Sequence, residues 1–136
     1  QLKKLDKNIN KRVSNFNILK NFFSKFPDFF DLPEQQAGLK TAWLAYPLLI
    51  KNKSSIKRQQ LQIFLEKNGI QTRTIFTGNI LRQPVMKGRI HKKIKNAGVN
   101  SDNVMKNGIL IGCHHGLKFK DLAFIMNKFN NFLIKI

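Results

Sequence analysis

Cysteine is almost absent from this sequence. Cys113 stands alone among 136 residues, which excludes an intramolecular disulfide framework and a zinc site built on paired cysteines. Acidic residues are scarce too: 7 Asp+Glu face 25 Lys+Arg, leaving a formal net charge of +18. No paired carboxylates at catalytic spacing, no nucleophile elbow and no Walker loop occur. Long apolar runs are lacking as well. The longest, Ala42–Ile50, has nine residues, includes Pro47 and is too short to cross a bilayer. The start, Gln1-Leu-Lys-Lys-Leu-Asp6, has no apolar signal-peptide core, so a cytoplasmic location without a membrane partner is expected.

What is present argues for a folded core. Apolar residues make up 42% of the chain and include twelve Phe, enough to bury against chain entropy. The length fits one domain, or one domain with a helical arm. The positive charge is mostly Lys, 20 of the 25, and is spread over every segment. With 15 Asn and 15 Ile, these three types fill 50 of 136 positions. Their codons are A/T-rich, so a base bias explains all three enrichments, whereas nucleic-acid binding explains only the first. The tightest basic run, Lys87–Lys95, lacks the stacking aromatics of a single-strand binder. A solvated, biased surface is the favoured reading. A free-standing basic α+β module binding nucleic acid or another polyanion is the alternative.

Periodicity orders the elements. Leu2, Leu5, Ile9, Val13, Phe16, Leu19, Phe22/Phe23 and Phe26 fall at steps of three and four, predicting a long amphipathic helix that Pro27 ends. That helix has no capping residue and no initiator Met before it, so the chain is expected to begin inside a longer polypeptide. Trp43–Ile50 reads as a buried strand with Pro47 at an edge or bulge. Ser54/Ser55 are expected to cap a helix carrying Ile56, Leu61, Phe64 and Leu65, closed by a left-handed Gly69. Ile70–Phe76 reads as a second strand, Thr77-Gly-Asn79 as a turn, and 80–99 shows no period. A short helix capped by Asn100 or Ser101, a strand over Gly108–Gly112 and a helix from about Lys118 complete the order. The three strands make a small sheet whose helices cover one face, leaving the other face and the first helix's stripe in need of a partner.

Few residues suggest chemistry by pattern. Cys113-His114-His115 is the densest group of metal-ligand types, but neighbours on a strand point to opposite faces, and a strand end running into a Gly116 turn is the simpler reading. Cys113 reads as a buried structural thiol and Trp43 as a core residue. Arg73 and Arg82 flank the Gly78 turn; by pattern alone two solvated arginines about a loop is the favoured reading, with binding of a phosphate or carboxylate ligand as the alternative.

The stretch Gly69-Ile-Gln-Thr-Arg-Thr-Ile-Phe-Thr-Gly-Asn-Ile-Leu-Arg-Gln-Pro84 resembles the C-terminal domain signature of the DegT/DnrJ/StrS sugar aminotransferase family. Its "GIQTR…F.GN..RQP" form is similar to the branch of nucleotide-sugar 3-dehydratases of the CDP-4-keto-6-deoxyglucose type. Trp43-Leu-Ala-Tyr-Pro47, Ser55–Leu61, Asn100–Met105 and Gly108–Leu117 resemble further landmarks in the same order. One departure is His115, where the family commonly has Pro before the Gly matching Gly116.

The resemblance implies an α+β fold: the small C-terminal domain of a fold-type-I pyridoxal-phosphate enzyme, with a three-stranded sheet, helices on one face and a long N-terminal helix. Residues 1–41 would be the helix and connector leading out of a missing large domain, and 42–136 the small domain. It implies 3-dehydration of a nucleotide-linked 4-keto-6-deoxyhexose in dideoxysugar and lipopolysaccharide biosynthesis, or transamination. Pyridoxal 5'-phosphate or pyridoxamine 5'-phosphate, and the catalytic residues, would belong to the missing domain, leaving this fragment inactive alone. A homodimer is implied, and an electron-transfer reductase partner is left open, as is an iron–sulfur cluster that Cys113 alone cannot hold. Carried over residue by residue, the substrate-binding candidates are Thr72, Arg73, Phe76, Gly78, Asn79, Arg82 and Gln83, with no metal ligand. Asn79 and Arg82 would donate to sugar hydroxyls or diphosphate, Phe76 would wall the sugar pocket, and Gly78 would admit close backbone approach.

Overall fold

The computed structural model of the chain describes residues 2–76, 78–89 and 98–136. The expected N-terminal helix is there. A 3₁₀ turn at Leu2–Lys4 leads into α1, Leu5–Phe23, which ends at Ser24, three residues before Pro27. Beyond it come β1 (Phe30–Asp31), β2 (Ala45–Ile50), α2 (Arg58–Lys67), β3 (Thr72–Arg73), α3 (Val99–Asn107), β4 (Gly108–Gly112) and α4 (Phe119–Leu133). The helix–sheet mix agrees with the expected α+β class.

The sheet differs in detail from the expectation of three strands. Among the described residues it has four, in the order β1-β2-β4-β3, all antiparallel neighbours. β1 is the addition, two residues pairing with Leu49 and Ile50. Because β1 reaches no further along β2, among the described residues the strand has only β4 beside it at Pro47, where a missing N–H is tolerated. The strand expected over Ile70–Phe76 shrinks to Thr72–Arg73. Phe76 takes a left-handed φ of +43°, which no strand accommodates, and the Ile75 side chain folds in against Gly108.

Alternation along β2 decides where the core lies. Tyr46, Leu48 and Ile50 are buried, while Ala45, Pro47 and Leu49 are half-buried. Phe16 and Phe23 of α1 meet the Tyr46 ring at 5.1 and 5.4 Å, so α1 covers the buried face. α4 packs on α1 and α2, and adds Leu122, Ile125 and Phe129 to the same core. Helices therefore cover one face, as expected. The stripe of α1 does not wait for a partner from Phe16 onward; only its start, with Leu2 and Leu5, stays exposed.

Local caps settle the remaining boundaries. Gly69 is left-handed at φ +76°; its N–H bonds the Glu66 carbonyl and the Ile70 N–H reaches Leu65, a Schellman closure of α2. Two caps depart from expectation. The Ser54 hydroxyl accepts the Ile56 N–H before α2 starts, so Lys57 and not a serine holds the cap position. Left-handed Gly98, ahead of the expected Asn100 or Ser101, opens α3. Two 3₁₀ turns, Ile80–Arg82 and Pro84–Met86, fill part of the stretch read as aperiodic. Thr77 of the expected turn, and the basic run beyond Arg89, lie outside the described residues.

Candidate functional site

The signature stretch rises from β3 and settles on α3. Gly98, Asp102 and Met105 share one face of α3 at i, i+4 and i+7, and each receives a loop residue. Gly78, at φ +64°, lies so close to Met105 that an added Cβ would sit 2.3 Å from the Met105 Cβ. Asn79 is only 4% exposed. Its Nδ2 donates to Asp102 Oδ1 at 2.8 Å, and its Oδ1 accepts the Leu81 N–H at 3.0 Å, capping the 3₁₀ turn. Arg82 donates in parallel to the same carboxylate, Nε to Oδ1 at 3.1 Å and Nη2 to Oδ2 at 2.8 Å. This fork matches the planar guanidinium to the carboxylate.

The outward side of the loop is different. Phe76 is 90% exposed despite its left-handed backbone, a conformation that costs free energy for a bulky residue. The Arg82 side chain is 64% exposed even while paired, and Ile80, Leu81 and Val85 are exposed beside it. Gln83 is half-buried after the first turn, and its N–H bonds the Ile80 carbonyl. Phe76, Gly78, Asn79, Arg82 and Gln83 thus lie on one loop, while Thr72 and Arg73 sit apart on β3.

Thr72 is buried and spends its polar groups internally. Its N–H and hydroxyl both donate to Glu66 Oε1, at 2.6 and 2.8 Å, and Gln62 Nε2 donates to the hydroxyl oxygen at 3.3 Å. These bonds, backbone first, hold the Glu66 carboxyl below its ordinary range. Arg58 carries the link onward, from Gln62 to the Lys106 carbonyl at the end of α3. Arg73 points from the opposite face of β3 and lines a cleft of about 500 Å³ with Gly112, His114, Leu117 and Phe124.

Asp102 has an acid–base consequence. Hydrogen bonds from Arg82 first and Asn79 second hold its carboxyl down at about 2, and the same pairing raises the Arg82 guanidinium. A carboxylate depressed in the folded state contributes fully above its unfolded value of about 3.9, and the contribution is lost as pH falls. We expect Leu81 amide and Asn79 side-chain NMR signals to report loop release with a midpoint near pH 2. A midpoint near the unfolded carboxylate value would show that Asp102 lacks these partners in solution.

Other sequence candidates are structural in their surroundings. The Cys113 thiol is buried, donates to the Trp43 carbonyl at 3.4 Å, and is pushed up to about 11 by burial, against the pull of Arg12. Trp43 is half-buried and stacks on Phe16 at 3.8 Å. His114 Nδ1 accepts the Gly116 N–H at 3.2 Å, and Asn15 Nδ2 donates to the His114 carbonyl at 2.8 Å, tying this turn to α1. Among the described residues no group of three or more His, Cys, Asp or Glu converges as a metal site, and no helix is long and apolar enough to cross a membrane.

Asp102 lies in the Asn100–Met105 landmark, but its link to the loop is not legible there, since it lies 20 residues beyond Arg82. The usable signal was scarcity. Asp102 is the sole carboxylate between Glu66 and Asp121, a stretch that holds three of the five arginines.

The pattern that defines the DegT/DnrJ/EryC1/StrS aminotransferase family matches residues 1–130. The chain belongs to this family. Within it, the lipopolysaccharide biosynthesis protein RfbH of Salmonella typhimurium is 30% identical over 132 residues, covering 97% of this chain and 30% of that protein. The GDP-4-keto-6-deoxy-D-mannose 3-dehydratase of Escherichia coli O55:H7 is 31% identical over 92% of this chain and 31% of its own length. The chain therefore spans about a third of the family members it matches. An E. coli GDP-4-keto-6-deoxy-D-mannose 3-dehydratase solved with bound hydrated PLP superposes with a TM-score of 0.79 at 28% identity, over 93% of this chain and 32% of that one. A further structure of a GDP-4-keto-6-deoxymannose 3-dehydratase holds GDP-perosamine. The family fold extends to Helicobacter pylori PseC, with a TM-score of 0.83 at 18% identity over 100% of this chain and 35% of that one.

Proposed function

We propose that this chain is the small, substrate-covering domain of a pyridoxal-phosphate-dependent nucleotide-sugar enzyme, one that removes the 3-hydroxyl of a 4-keto-6-deoxyhexose. The observation that carries this reading is the likeness to named 3-dehydratases over nearly the whole chain, in sequence and in fold. The cofactor, as pyridoxal or pyridoxamine phosphate, supplies an electron sink when bound. The cofactor and the catalytic residues are assigned to the two thirds of the relatives that this chain does not span. Residues 1–41 serve as the connector from that part while α1 also builds the small-domain core. In this reading the complete protein is a cytoplasmic homodimer, with a reductase partner if it carries an iron–sulfur cluster.

The chain's own residues then divide their work. Arg82 offers the exposed side of its guanidinium to the diphosphate, and Phe76 supplies an apolar wall for the sugar or base. Arg73 stands on the open face of the sheet as a second cation for the same ligand. Thr72, Gly78 and Asn79 hold the backbone in place, since their polar groups or their lack of a side chain are committed within the chain. Gln83 follows at the margin of the ligand.

The coding sequence upstream of Gln1 tests the reading. A cofactor domain with His at the attachment position means a 3-dehydratase, and Lys there means an aminotransferase. A start codon directly before Gln1 would sink the proposal. In the complete enzyme, Phe76→Ala should lower kcat/KM for the nucleotide sugar roughly tenfold, the worth of about 1.5 kcal/mol of aromatic contact. Its Tm should stay in place because Phe76 is exposed. Unchanged kinetics would remove Phe76 from the ligand site.

A further inference from the structure

We propose that Asp102 is the positioning residue of the signature loop: one carboxylate on α3 that takes both Asn79 and Arg82 and thereby fixes the side of the loop that Phe76 and the guanidinium present. Both carboxylate oxygens are engaged, Oδ1 by Asn79 Nδ2 and Arg82 Nε, Oδ2 by Arg82 Nη2. Asn79 passes the restraint into the backbone, because its Oδ1 holds the Leu81 N–H. Asp102 therefore governs the turn Ile80–Arg82 from two points, one through a side chain and one through the main chain.

An exposed ion pair alone would be weak evidence, since such pairs contribute little. Three features set this one apart. The guanidinium approaches as a fork rather than a point charge, and the acceptor is shared with a buried amide. The flanking contacts are also shaped for the same docking. A Cβ on Gly98 would lie 2.4 Å from Asn79 Nδ2, and one on Gly78 would strike Met105. The third feature is charge: no other carboxylate occurs between Glu66 and Asp121, so in a chain of net charge +18 no neighbour in sequence can replace it. The loop's orientation thus hangs on one acid.

The consequence for substrate rests on the nucleotide-sugar reading above; the restraint itself does not. Accordingly the first test uses the 136-residue chain without any ligand. In Asp102→Asn, backbone order parameters of residues 78–83 should fall from the rigid range, about 0.85, to below about 0.6. Those of β4 and α4 should stay unchanged, and Asp102→Glu should recover part of the order. Loop order that is unaltered, or that is lost equally throughout the chain, would overturn the proposal. Should Asp102→Asn fail to fold, Arg82→Lys keeps the charge but removes the fork, and is read by the same criterion. In the complete enzyme, Asp102→Asn should raise KM for the nucleotide sugar severalfold more than it lowers kcat. A fall in kcat alone would count against positioning. Because the order parameters need no substrate, they can fail while the nucleotide-sugar reading stands, and the reverse holds equally.

Discussion

Phe23→Ala should cost about 4 kcal/mol of stability, the range for deleting a fully buried aromatic ring, and lower Tm by roughly 15 °C. Phe23 is 0% exposed and meets four other rings, Phe22, Phe30, Tyr46 and Phe129, with centroids 4.8 to 5.5 Å away. Those rings belong to α1, β1, β2 and α4, so the cavity would open where four elements join. No single neighbour can fill it, because each is held by its own partners: Phe30 also faces Phe129, and Tyr46 also faces Phe16. The result bears on domain organisation as well as on stability. If residues 1–41 were a connector outside the small domain, truncating a ring on α1 would barely shift the melting curve of the chain. Thermal and urea denaturation of the purified chain distinguish the two, and a Tm change below about 2 °C would detach α1 from the core.

Much of the fold was legible because its signals are local. The stripes of α1 and α4 run at steps of three and four, and Gly69 marks the end of α2 by the one conformation that glycine adopts cheaply. β4 was bounded by its own glycines. What escaped depends on contacts far away in sequence. Phe30 and Asp31 carry no strand pattern in two residues; they become β1 only because Ile50 and Leu49 lie alongside. Thr and Ile favour extension over 70–76, yet Phe76 turns left-handed where the chain docks on α3, and the strand stops at Arg73. The site divides in the same way. Phe76, Gly78, Asn79 and Arg82 stood in one recognisable run, while the acceptor of Asn79 and Arg82 stood in a separate one, 20 residues beyond Arg82. Asp102 becomes meaningful only when Gly98, Asp102 and Met105 are seen as one face of a helix turned toward that run.

Gly78 offers the sharpest test of that face. Gly69 and Gly78 both have left-handed backbones, at φ +76° and +64°, so alanine at either position meets the same backbone penalty of about 1 kcal/mol. Their surroundings differ. Nothing lies within 4 Å of a Cβ added at Gly69, whereas at Gly78 it would lie 2.3 Å from Met105 Cβ and 2.9 Å from Met105 Cα. Turning the methionine side chain relieves neither contact, because the Cβ and Cα are fixed by the helix. Gly78→Ala should therefore cost about 3 kcal/mol if the loop stays seated, against about 1 for Gly69→Ala. The strain has a second outlet, since the loop can lift off α3 by giving up the bonds to Asp102. In that case the denaturation curve shifts less, and the loss appears as disorder of residues 78–83, with the Asn79 and Arg82 side-chain signals moving to their solvent-exposed positions. Urea denaturation and loop order parameters, measured together, cover both outlets. Gly78→Ala matching Gly69→Ala in both measurements would mean that the loop does not rest on Met105. The face formed by Gly98, Asp102 and Met105 would then lose its claim to orient Phe76 and Arg82.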